Sequence, residues 1–62
     1  MNNENKLSTV TALRAYNALR VSADKQLAAI ATVDADDTKL RQALTITYDH
    51  TLLAIAELED YI

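Results

Sequence analysis

Three clusters of side chains have the residue types from which chemistry could be built. Tyr48-Asp49-His50 sets a phenol, a carboxylate and the single histidine in consecutive positions. An acid holding a base beside a hydroxyl is the layout of a nucleophilic triad. Consecutive residues on a helix point about 100° apart, however, so Asp49 cannot orient the His50 ring. There is no Cys, and no Ser is placed in sequence as an obvious nucleophile. His50 reads as a half-exposed helix residue. Asp34-Ala35-Asp36-Asp37 has the acidic density of a calcium loop. An EF-hand loop requires Gly at its sixth position and a bidentate Glu at its twelfth. Counted from Asp34 those positions hold Lys39 and Thr45, so the acids read as helix caps. Glu57 and Asp60, three apart with Glu59 between them, share a helix face, but two short helices form no cleft that would desolvate a carboxylate pair. They read as a solvated face. One His and no Cys also exclude thiolate or imidazole-rich metal sites. The sequence predicts no catalytic residue, cofactor, metal or small-molecule substrate, and points away from an enzyme.

Composition says what must position these residues. The chain has 62 residues, half of them apolar, with no Gly and no Pro. Sheet hairpins lean on Gly, Asn-Gly or Asp-Gly for positive φ, and none is available. Ala, the best helix former, is abundant. An all-α single domain follows. A core of this size rarely yields more than about 3–5 kcal/mol, and disulfides and structural metals are ruled out, so association is the remaining support. The net charge of −3 and pI near 4.7 argue against a general affinity for nucleic acid or anionic membranes. No apolar stretch approaches the roughly 20 residues a bilayer requires, and the first residues lack the apolar segment of a signal peptide. The expected location is the cytoplasm.

Two apolar stripes of helical period appear. The first runs through Ala12, Leu13, Tyr16, Leu19, Ala23, Leu27 and Ile30. The second runs through Leu40, Leu44, Thr47, Thr51, Ala54, Leu58 and Tyr61, with Ala43, Tyr48, Ile55 and Ile62 beside it. One continuous helix would set the two stripes roughly 110° apart, with no common face to bury. Between them lie Thr32-Val33-Asp34-Ala35-Asp36-Asp37, residues of low helix propensity, with Asp34 or Asp36 as natural N-caps for a second helix. The spacing therefore predicts helix 1 over about 6–31, a turn over about 32–35 and helix 2 over about 36–60. So short a connection makes the helices antiparallel neighbours. Charge agrees. Residues 1–33 carry four basic side chains against two acidic, a net +2, while residues 34–62 carry two against seven, a net −5. Folding back sets an acidic helix beside a basic one and is expected to bring Glu57, Glu59 and Asp60 near the positive N-terminus of helix 1.

Closing the hairpin leaves apolar side chains over. Ile46 and Leu53, seven apart, point away from the second stripe, with Leu52 and Ala56 beside them. Each such aliphatic left in water forgoes roughly 1.5–3 kcal/mol. These four residues are the expected partner contact. The simplest partner is a second copy, giving a two-fold symmetric four-helix bundle. The back of helix 1 carries Thr11, Ala15, Ala18, Ser22 and Ala29, a smooth seam along which another helix could approach. A second candidate surface is the basic outer face of helix 1, formed by Arg14, Asn17, Val21 and Lys25.

The length, Asp34-Ala35-Asp36 at the turn and Asp49-His50 in the second helix resemble the Rop family of plasmid RNA-binding proteins. The resemblance covers the outline of the chain and these two short motifs. It implies an antiparallel hairpin that dimerises into a four-helix bundle and binds paired RNA loops through helix 1, where Arg14, Asn17 and Lys25 would serve. Architecture alone does not carry function. The residues themselves favour a non-enzymatic protein–protein interaction module, a small regulator, inhibitor or adaptor working through helix packing. The alternatives are the RNA-binding regulator and a structural or chaperone subunit of a larger assembly.

Overall fold

The structure, a computed structural model, describes residues 3–62, with side chains placed from Leu7 onward. It consists of two helices packed against each other, α1 (Asn3–Ala31) and α2 (Thr38–Glu59), with no strand among the described residues. The long axis measures 55 Å against 14 and 10 Å across.

With no glycine to take a left-handed C-cap, α1 must end by another route. It ends by tightening. Thr32 N–H donates to the Ala29 carbonyl at 3.1 Å and Val33 N–H to the Ile30 carbonyl at 3.2 Å. The Thr32 hydroxyl also donates to the Ala29 carbonyl, at 2.8 Å. No described residue has positive φ. The chain then turns, with Asp37 N–H donating to the Asp34 carbonyl at 3.0 Å.

The cap of α2 is Asp37, not Asp34 or Asp36. Its carboxylate accepts from the Leu40 amide at 3.2 Å, the third residue of the helix, while its own carbonyl accepts from Arg41 N–H at 3.1 Å. The turn consumes two residues more than the sequence spacing implied. All three turn acids therefore precede α2, and its first turn holds Lys39 and Arg41 instead. Arg41 is used elsewhere: its guanidinium donates to the Val33 carbonyl at 3.4 Å and ties the turn to α2.

Both helices face each other along heptad seams, rotated from the expected stripes. The α1 seam is Ala12, Tyr16, Leu19, Ala23, Gln26 and Ile30, with Ala15 and Ser22 half-buried at its edge. The α2 seam is Leu44, Tyr48, Thr51, Ile55 and Leu58. Thr47, Ala54, Leu13 and Leu27, all expected inside, are exposed, and so are Leu40 and Tyr61. A strict 4-3-4-3 repeat keeps one seam against its neighbour along the whole contact, and these are the positions where both helices hold that repeat together. The rotation also carries Ala15 and Ser22 from the expected back of α1 to the seam, leaving Thr11, Ala18 and Ala29 outside.

The seam has a polar midpoint. The Thr51 hydroxyl donates to Gln26 Oε1 at 3.0 Å, sharing its hydrogen with the Thr47 carbonyl at 3.1 Å, and Gln26 Nε2 donates to Ser22 Oγ at 3.1 Å. This chain crosses the interface and favours one register, because a slip would strand the Gln26 amide among apolar neighbours. The Tyr16 hydroxyl donates to Glu59 Oε2 at 3.4 Å, which sets Glu59 level with the middle of α1. The acids at the end of α2 therefore lie alongside the body of α1 rather than beside its first turn, because α1 begins at Asn3 and extends past the end of its partner. Macrodipole effects fall off within one turn, so that expected contribution is absent.

Candidate interaction surface

The hairpin buries little. Its only buried apolar side chains among the described residues are Ala12 and Ala23, exposed by 5% and 6%, joined by the polar Thr51 at 9%. No described large side chain is fully enclosed. Leu7, Val10, Leu13, Val21, Leu27, Leu40, Ile46, Leu52, Leu53, Tyr61 and Ile62 are all exposed.

The seam positions locate these side chains around each helix. Leu13, Arg20 and Leu27 on α1 adjoin the same side of the seam as Leu52 and Glu59 on α2. A groove of about 310 Å³ on that flank is lined by Tyr16, Arg20, Ala23, Asp24, Tyr48, Leu52, Ile55 and Glu59. The opposite flank carries Ser8, Ala15, Ser22 and Ala29 against Leu40, Thr47, Ala54 and Tyr61. At its open end lies a recess of about 370 Å³ between Leu7, Ser8, Thr11, Ala12, Leu58 and Tyr61. Overpacking is not what keeps these apolar groups outside. Two cylinders touch along one line, and only one stripe of each can meet there.

The four residues expected to form one contact divide between two directions, and all four are exposed. Leu52 lines the groove, and Ala56, one turn on, lies beside it. Ile46 and Leu53 stand on the side of α2 turned away from α1. Arg14, Asn17, Val21 and Lys25 are exposed along α1, with Arg14 and Val21 directed outward. His50 and Asp49 are exposed and diverge around α2, so no base–acid pair forms.

Sequence reading missed one polar cluster on the groove. The Arg20 guanidinium sits 5.7 Å from the centre of the Tyr16 ring and donates to its hydroxyl at 3.3 Å. That hydroxyl passes its own hydrogen to Glu59. The hydrogen bond to Tyr16 and its electrostatic interaction with that group, then the negative charges of Asp24 and Glu59, outweigh a small effect of burial and hold the Arg20 pKa above its ordinary value. The signal was available in part: Tyr16 and Arg20 are four apart, but the level of Glu59 depends on the register. Among the described residues, no group of His, Asp or Glu is placed to hold a metal ion, and no helix is long and apolar enough to cross a membrane.

In comparisons with known proteins, no protein-family model, no curated protein and no solved structure matches this chain. The likeness to the Rop family rests on outline and the two short motifs.

Proposed function

We propose that this chain is a non-enzymatic protein–protein interaction module, a small regulator or adaptor that acts by packing helices against helices. The observation that carries this reading is the mismatch between a core of two alanines and a threonine and the eleven large apolar side chains left exposed. Burying even three or four of these against another helical surface is worth roughly 1.5–3 kcal/mol each, comparable with everything the isolated seam supplies. A second copy of the chain meets this need most simply, and the product is a four-helix bundle.

Within this reading Leu52 and Ala56 belong to the flank that a second hairpin covers. Ile46 and Leu53 face outward from such a bundle and are the contact for a different helical partner, taken up as an apolar helix stripe in a groove.

The test is mass and thermal stability against concentration. Sedimentation equilibrium over a roughly hundred-fold dilution is expected to show dimer giving way to monomer, with the melting temperature falling in step. A single monomeric mass and one melting temperature throughout would end this reading.

One observation favours a second reading. Arg14 and Lys25 are both exposed on α1, with Asn17 and Val21 between them, and a dimer would double that face. If this surface binds structured RNA, affinity falls steeply with salt, and Arg14→Ala with Lys25→Ala both weakens binding and flattens the salt dependence.

A further inference from the structure

The second copy has two flanks on which to dock, and the side chains distinguish them. We infer that it seats on the flank carrying Leu13, Arg20, Leu27, Leu52 and Glu59, with α1 of each chain lying antiparallel against α2 of the other. This rests on the self-association proposed above, argues for its face and adds its orientation.

Apolar area favours this flank. Leu13, Leu27 and Leu52 are 42%, 50% and 42% exposed along it, above a groove whose walls include the half-buried rings of Tyr16 and Tyr48. Between Leu40 and Tyr61 at its ends, the opposite flank offers only alanine, serine and threonine, which return little on burial.

Charge fixes the orientation. A two-fold axis parallel to the helices keeps every residue at its own level while exchanging α1 for α2. Arg20 and Glu59 lie about one turn apart in level, as the hydrogen bonds through Tyr16 show. The operation therefore brings Arg20 of one copy to Glu59 of the other, twice. Leu27 and Leu52 are also about one turn apart in level, as the Gln26–Thr51 contact shows, and they meet across the interface in the same way. A two-fold axis perpendicular to the helices would instead set α1 on α1 and α2 on α2. That arrangement faces the chain's net-positive half with itself and its strongly acidic half with itself, which costs affinity.

Cysteine crosslinking reads both face and orientation, and the chain has no cysteine of its own. Chains carrying Leu27→Cys and chains carrying Leu52→Cys, distinguishable by mass, are mixed and oxidised. The mixed disulfide is expected to exceed either symmetric one several-fold. Arg20→Glu is expected to raise the dimer Kd at least about ten-fold, and adding Glu59→Arg in the same chain to restore most of it. Circular dichroism of each variant confirms that the hairpin is intact. If mass measurements show a dimer but symmetric Leu27→Cys disulfides dominate, the orientation is overturned. If instead a mixture of Ser22→Cys and Ala54→Cys chains crosslinks, the face is overturned. Self-association stands in both cases. A monomer at every concentration would remove the proposed function and this inference together.

Discussion

Thr51 offers the sharpest test of how the hairpin is held, because its hydroxyl is buried and ties α2 to Gln26 of α1 across the seam. Thr51→Val keeps the shape and exchanges the hydroxyl for a methyl group. The lost hydrogen bond to Gln26 costs about 0.5–1.5 kcal/mol. Gln26 Oε1 loses its partner, which adds up to about 1 kcal/mol, held at the low end because Gln26 is half-buried and reaches water. The buried methyl returns no more than about 0.8 kcal/mol. The balance is a net loss of about 0.5–1.5 kcal/mol, a large share of the few kcal/mol that a core this size supplies. Adding Gln26→Leu removes the stranded amide and buries apolar surface in its place, so the double variant is expected to regain the loss and exceed the parent by about 1 kcal/mol. The two sites then couple by about 1 kcal/mol in a double-mutant cycle. Urea denaturation followed by circular dichroism measures all four chains, at one concentration high enough to saturate association. If Thr51→Val were as stable as the parent and the coupling fell below about 0.3 kcal/mol, the Gln26–Thr51 contact would not be holding the register.

Three further outcomes follow from the packing. Asp37→Ala is expected to cost about 0.5–2 kcal/mol in urea denaturation, whereas Asp34→Ala and Asp36→Ala stay within about 0.5 kcal/mol; a larger loss at Asp36 would move the cap. Ile55→Ala, which empties a seam position, is expected to cost about 1–3 kcal/mol, against less than about 0.5 kcal/mol for Leu53→Ala on the outer side. Equal costs would mean that α2 is rotated away from the register described. Ile46→Asp with Leu53→Asp is expected to leave the mass in solution unchanged, since both residues point away from the docking flank. Conversion to monomer, read by sedimentation, would place the self-contact on the outer side of α2.

The sequence by itself determined that the chain is helical and that it breaks near residue 34. Without Gly or Pro it has no sheet turns, and the run from Thr32 to Asp37 joins the poorest helix formers to two stripes that no single helix could bury. Local propensity and short-range spacing are sufficient for those conclusions. The exposure of Ile46, Leu52, Leu53 and Ala56 was legible for the same reason, since a helix hides only one stripe at a time. Which stripe each helix hides was not legible. Leu13 competes with Ala15, and Thr47 and Ala54 compete with Tyr48 and Ile55, within one helical face. Counting apolar residues on one helix cannot decide between them. The choice is made where both helices hold the same heptad phase, with Gln26 opposite Thr51, and that depends on two segments 25 residues apart. The same register brings Tyr16 and Arg20 to Glu59 and so builds the groove. Tertiary packing alone decided the polar midpoint, the overhang of α1 and the division of the exposed residues between a flank and an outer side. Each is a matter of rotation and level between helices, and a difference of one residue in either turns a side chain by about 100°.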